Sequence, residues 1–256
     1  MRRNWTNVVL AVLATLLLNL CQSCSIDIQD FVNMNDGPQV VGFHAGGGSQ
    51  TRTQMLPNGL SADWVAGDEL AVWARNSAGD FTLSNQVFKT YGIDGKSGFF
   101  TSTLPQAMPD DTYTYYCTYP VPESVDGTNV TFRIPAVQDG KVSGGADIMI
   151  ATPVPHGALT PVPDREDHSG MSMEMNRMLH QFRFYVPDGI SDLGEDINKI
   201  YVTMPDPVVG TVSADLTSPG NGLVLSGGSD MFVVNLSDGL PLSPSAADMH
   251  YACAAI

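Results

Sequence analysis

Beyond its first 24 residues the chain places apolar residues at every second position over short stretches, and nowhere at the spacing of a long helix. Glu69 to Arg75 alternates, with Leu70, Val72 and Ala74 on one face. Phe81 to Phe88 follows after an Ala78-Gly79-Asp80 turn, and Thr112 to Tyr119 is β-branched and aromatic, with Tyr113, Tyr115, Cys117 and Tyr119 on one side. Asn129 to Ile134 and Asp147 to Ala151 complete the first half. In the second half Met178, His180, Phe182, Phe184 and Val186 share a period-2 face, followed by Ile200 to Met204, Val208 to Leu216, Gly222 to Leu225, Met231 to Leu236 and His250 to Ile256. Gly, Pro, Asn and Asp clusters separate these runs. Short strands between regular turn signals predict an all-β sandwich or a pair of sandwiches. The apolar parity changes between Met173/Met175 and Met178, which predicts a β-bulge near Asn176-Arg177.

The segment from Thr152 to Gly170 carries Pro153, Pro155, Pro161 and Pro163, then the polar run Asp164 to His168. Proline at that density cannot join a central ladder. The expected organisation is therefore an N-terminal β-sandwich over 25–155, a Pro-rich linker over 156–170 and a C-terminal β-sandwich over 171–256. The second domain is short and stops inside the apolar run Tyr251 to Ile256, so it is expected either to end on its last strand or to continue beyond this sequence.

Composition narrows the function. The 256 residues hold 12 Lys+Arg against 27 Asp+Glu, a net charge of −15 with 43% hydrophobic content. The apolar fraction excludes disorder. The acidity repels a phosphate backbone, so no nucleic-acid partner is expected. It also repels an anionic membrane, so attachment needs an inserted or covalent anchor.

Residues 1–24 read as such an address. Arg2 and Arg3 precede an apolar stretch, Val8 to Leu20, that is too short to span a bilayer but suits a secretory leader. Leu20-Cys21-Gln22-Ser23-Cys24 follows, and it resembles a bacterial lipoprotein signal, in which one cysteine becomes the lipidated mature N-terminus. Cys24 follows the small Ser23 and is the preferred position; Cys21 has Leu18 three before it and is the alternative. Cys117 and Cys253 are read as buried free thiols, although export would permit a disulfide.

Catalytic and metal constellations are not found. The chain has no His-Glu-x-x-His, no Gly-x-Ser-x-Gly, no phosphate loop and no dinucleotide fingerprint. Gly46-Gly47-Gly48 reads as a loop, and Asp164, Glu166, Asp167 and His168 as a solvated acidic run rather than a calcium site. His180 reads as a core histidine and Asp110-Asp111 as turn residues. No enzyme activity and no cofactor are expected. Trp64, Trp73 and the tyrosines 113–119 could stack on sugar rings, making a glycan-binding surface lipoprotein the alternative; packing explains them better.

Several ordered segments together resemble the fimbrillin family of type V pilus subunits. The lipoprotein signal comes first, then Val40 to Ala45 leading to Ser49-Gln50-Thr51-Arg52-Thr53. Trp64 to Val72 resembles that family's W-x-x-G-D-x-I-G-V strand, Tyr113 to Pro120 its Tyr-rich segment ending in Tyr-Pro, and Asp147 to Ala151 its D-L-M-x-A strand. Met175 to Val186 resembles the strand opening its second domain, without the family's serine. The resemblance implies two Greek-key β-sandwich domains of transthyretin-like type in tandem, exported as a lipoprotein to the cell outer membrane and exposed on a fimbrium. It also implies cleavage after Arg52, leaving Thr53 as a new N-terminus, and pairing with other pilin subunits by β-strand addition. A tip, anchor or accessory role is the expectation drawn from the short C-terminal part, and a host or bacterial surface ligand is a further candidate partner.

Overall fold

The computed structural model describes residues 37–46, 54–55, 62–94, 97–140, 147–162, 170–185, 197–240 and 251–256. Among them the chain is nearly all strand, with a single 3-10 turn at Pro219–Asn221 and no α-helix. The first strands are β1 (Gln39–Gly46), β2 (Gln54–Met55), β3 (Ala62–Asp63), β4 (Glu69–Arg75), β5 (Phe81–Asp94), β6 (Ser97–Leu104) and β7 (Tyr113–Tyr119). Then come β8 (Ser124–Asp126), β9 (Asn129–Ile134), β10 (Val137–Gln138), β11 (Met149–Ala151), β12 (Val154–His156), β13 (Ser172–Met173) and β14 (Met175–Arg177). The last are β15 (Gln181–Tyr185), β16 (Ile197–Thr203), β17 (Val209–Asp215), β18 (Val224–Ser229), β19 (Met231–Leu240) and β20 (Tyr251–Ala255).

Nine strands make the main sheet, in the order β13-β1-β6-β5-β4-β7-β11-β14, with β12 added on β7. Only Glu174 separates β13 from β14, so one stretch of chain pairs with β1 at one end of the sheet and with β11 at the other. The sheet therefore curls into a barrel-like layer. Its inner face holds the first core, including Val41, Phe43, Leu70, Val72, Phe88, Phe100, Tyr113, Tyr115, Cys117 and Met173. The turn between β4 and β5 follows from its residues. Asn76 Oδ1 accepts from the Asp80 amide at 2.7 Å, and Gly79 takes the positive φ of 93° that a side chain resists.

The outer side of β4, β7 and β11 is buried as well. Ala71, Trp73, Tyr116, Ile148 and Ile150 meet Val130, Phe132, Val212, Phe232, Val234 and Ala254 in a second core. Facing them are the four-stranded sheet β18-β17-β9-β8, the three-stranded sheet β10-β19-β16 and the pair β15-β20. Burial on both faces accounts for β4 being apolar at every position from Leu70 to Ala74, and for nearly all of β7 being buried.

The all-β expectation holds, in a barrel-like and sandwich arrangement; two tandem domains are not confirmed. Strands from either side of residues 156–170 pair with each other. β9 and β17 match over six positions, from Gly210↔Ile134 to Asp215↔Asn129, and β10 runs parallel to β19. Within 156–170, Leu159 is buried in the first core and the Val162 amide donates to Val40 O at 2.9 Å. Proline does stay at a margin, because Pro155 lies in β12, which among the described residues pairs with β7 alone.

Two local expectations need correction. The ladder of β11 with β14 pairs Met149↔Arg177, Ile150↔Asn176 and Ala151↔Met175 without a register shift, so no bulge lies there. The parity change arises because Met171, Met173 and Met175 fill the first core, while Leu179 serves the second as the chain leaves the barrel. His180 is exposed rather than a core histidine; its backbone pairs both ways with Ile256, at 2.7 and 2.9 Å.

Candidate functional site

β1 reads Gln-Val-Val-Gly-Phe-His-Ala-Gly, and period 2 sends Val41, Phe43 and Ala45 inward, where they are at most 1% exposed. Phe43 lies 5.1 Å from the Phe88 ring centroid at 59° and 6.4 Å from Phe100. One edge of β1 forms an antiparallel ladder with β6 that runs unbroken from Gln39↔Leu104 to Gly46↔Ser97. The other edge is held by short pieces: Val41 bridges Pro161, the His44 amide donates to Met171 O at 2.8 Å, and Ala45 lies beside Met173. β1 is thus a strand seated in a slot, with a continuous ladder on one side and a discontinuous one on the other. Burial stabilises it by about 1.5–3 kcal/mol for each of the larger apolar side chains.

The outward side of β1 carries Gly42 and His44. Phe99 of β6, also outward, is only 3% exposed, with His44 at 5.0 Å and Tyr91 at 6.5 Å between ring centroids. Ser97 Oγ lies 3.4 Å from His44 Nδ1. A Cβ on Gly42 would come within 2.6 Å of Phe99 Cζ and 3.0 Å of Phe100 O. The slot thus combines main-chain groups along both edges of an extended strand with alternate inward and outward side-chain positions.

Cys21, Cys24, Arg52 and Thr53 lie outside the described residues, as do Asp164, Glu166, Asp167 and His168. In sequence, Arg52 and Thr53 fall between the end of β1 at Gly46 and the start of β2 at Gln54. Trp64, Trp73, Tyr113, Tyr115, Tyr116 and Tyr119 are all buried, so the aromatic residues offered for glycan stacking have no ring face free for it. Cys117 is a free, fully buried thiol, and burial pushes its pKa up. Cys253 pairs through its backbone with Arg183. Asp111 accepts from Ser77 Oγ at 3.1 Å and from the Thr112 amide at 2.7 Å, the turn role expected of it; the Ser77 bond is the main reason its pKa is lowered.

Sequence reasoning missed one charged pair. Asp147, fully buried, accepts from Arg177 Nε and Nη2, both at 2.6 Å. Burial raises the Asp147 pKa, against the lowering hydrogen bonds and charge of Arg177, and nearby Asp68 adds to the rise. Asp68 itself accepts from the Val65 amide at 2.8 Å and from the Tyr119 hydroxyl at 3.2 Å. The available signal was an acid opening the apolar run Asp147–Ala151 and a lone arginine inside the methionine-rich run 171–179.

No family model matches this chain, and no curated protein does. Solved structures do. A candidate cell adhesion protein from Bacteroides uniformis ATCC 8492 superposes with a TM-score of 0.50 at 15% identity, over 84% of this chain and 73% of that one. A second candidate cell adhesion protein, from Bacteroides ovatus ATCC 8483, gives 0.50 at 12% identity, over 84% of this chain and 76% of that one. At those identities the likeness is one of fold.

Proposed function

We propose that this chain is an adhesive or structural subunit of a cell-surface fimbria, without enzymatic activity or cofactor. In this reading it is exported as a lipoprotein, lipidated at Cys24 (alternatively Cys21) and held at the outer membrane. Cleavage after Arg52 separates β1 from the body of the protein, and a strand from another subunit then occupies the slot. The observation that carries the reading is β1 itself. It is seated inside the main sheet, buried through Val41, Phe43 and Ala45, and it precedes Arg52 in sequence, so one cut divides seated strand from slot. An empty slot would present the whole β6 edge and an apolar groove, the arrangement that strand addition fills. The cell-adhesion descriptions of the two Bacteroides proteins agree with a surface role.

The test is the N-terminus of protein recovered from its native surface, by intact mass and terminal sequencing. A chain beginning at Thr53 supports the proposal. A chain beginning only at a lipidated cysteine excludes the cleavage step and leaves a tethered adhesin.

A further inference from the structure

We infer that the β1 slot selects its occupant by a steric lock built from Phe99, and that the strand it takes carries glycine, then a bulky aromatic, then a small residue two positions after the aromatic. The inference rests on the strand-exchange reading above and specifies its partner. Three places in the slot set the pattern. Opposite Gly42, the Phe99 ring lies across the outward side of the strand, where any Cβ would meet Phe99 Cζ at 2.6 Å and Phe100 O at 3.0 Å. On the inner side, the position of Phe43 is a space between the Phe88 and Phe100 rings, which a smaller side chain would leave partly empty. At the row of Ala45, β6 supplies Gly98, where a Cβ would meet Phe100 Cε2 at 2.7 Å and Trp64 Cδ1 at 3.1 Å. That corner is filled by the edge-to-face pair Trp64–Phe100, 5.0 Å between centroids, and Ala45 is itself fully buried in the first core, where a larger side chain would overpack.

The three requirements also fix register. A one-residue slip would bring a side chain under Phe99 and turn the aromatic outward, since neighbouring residues face opposite sides of the sheet. Elsewhere in the 256 residues a glycine is followed directly by an aromatic only at Gly98-Phe99, inside β6 itself, where Thr101 stands in the small position. β20, Tyr251–Ala255, contains no glycine to lie under Phe99.

The experiment uses the full chain with a site-specific protease sequence inserted after Gly46, so that it does not depend on cleavage at Arg52. After cutting, β1 is displaced in mild denaturant and replaced by fluorescent peptides spanning residues 38–46, with retention read on refolding. The native peptide should be retained. A Phe43→Ala peptide should bind about 100-fold more weakly, and a Gly42→Val peptide about 10-fold more weakly. A Phe99→Ala body should partly restore the Gly42→Val peptide, the Phe100 carbonyl remaining in place, while leaving the Phe43→Ala defect. Equal retention of all three peptides, or no restoration by Phe99→Ala, overturns the inference.

A companion measurement uses the uncut chain with Gly42→Val, Phe99→Ala and the double variant. The lock predicts a Tm loss for Gly42→Val that the second substitution partly recovers, whereas additive losses overturn it. If no peptide enters while the uncut chain shows that coupling, strand exchange is what has failed, and the partner pattern falls with it.

Discussion

Arg177→Met should be among the most damaging single substitutions in this protein. Asp147 is fully buried and the Arg177 side chain only 9% exposed, so the pair is desolvated and held by two hydrogen bonds of 2.6 Å. Removing the guanidinium strands a buried carboxylate, which costs about 3–5 kcal/mol. For a chain of this size that is a fall in Tm of roughly 6–20 °C. The loss should depend on pH in a definite sense. The folded-state pKa of Asp147 is raised by burial, and the substitution removes the two influences of Arg177 that oppose the rise. A carboxyl whose folded pKa exceeds its unfolded value contributes stability that is fully present below the unfolded pKa and lost as pH rises through the folded one. The variant should therefore be closest to the wild type at and below the ordinary carboxylate pKa of about 3.9, and should fall further behind it as pH rises toward and above neutrality. Adding Asp147→Asn should flatten the profile and recover part of the loss at neutral pH. Urea titrations at several pH values, followed by tryptophan fluorescence, measure both quantities. A surface pair serves as the control. Lys89 and Glu69 are 2.7 Å apart but 69% and 41% exposed, so Lys89→Ala should cost no more than about 1 kcal/mol. A loss below about 1 kcal/mol for Arg177→Met at neutral pH, or an equal loss at acid and neutral pH, would refute the argument.

Two further outcomes follow from the packing. Cys117 should resist thiol reagents in the folded protein and react fully in denaturant, because it is buried and its pKa is pushed up; native-state labelling at the rate of a free thiol would contradict this. Leu159→Ala should destabilise the protein by about 2–5 kcal/mol, because Leu159 is packed in the first core at 5% exposure, whereas a free linker would show almost no change in a denaturant titration.

Local pattern carried much of the secondary structure and little of the assembly. β4 and β9 have the limits read from alternation and turn residues, Glu69–Arg75 and Asn129–Ile134. Alternation marks which face of a strand is most apolar, but it underestimates a strand with cores on both sides, as Ala71 and Trp73 show. Pairing between β9 and β17 joins residues about eighty apart, and nothing in either strand's own pattern names its partner. The Pro-rich segment looked like a boundary because proline avoids central ladders. Here it lies along a margin, where Val162 can still donate to β1 and Leu159 still reach a core. The seated strand was legible as an apolar run, Val40 to Ala45, and its glycine was not, because its meaning depends on Phe99 from β6 lying across it. The lipidation and cleavage positions lie outside the described residues and rest on sequence resemblance alone.

The central claim is that β1 is the exchangeable strand, and a reversible lock tests it most directly. Val40 and Thr103 are cross-strand partners of β1 and β6, so Val40→Cys with Thr103→Cys should tie the strand into its slot by a disulfide. Locked and reduced protein would each be treated with an Arg-specific protease and followed by size-exclusion chromatography and electron microscopy. The account predicts that reduced protein assembles after the cut, that locked protein does not, and that adding reductant restores assembly. Equal assembly of locked and reduced protein would show that β1 never leaves its slot, and would contradict the account.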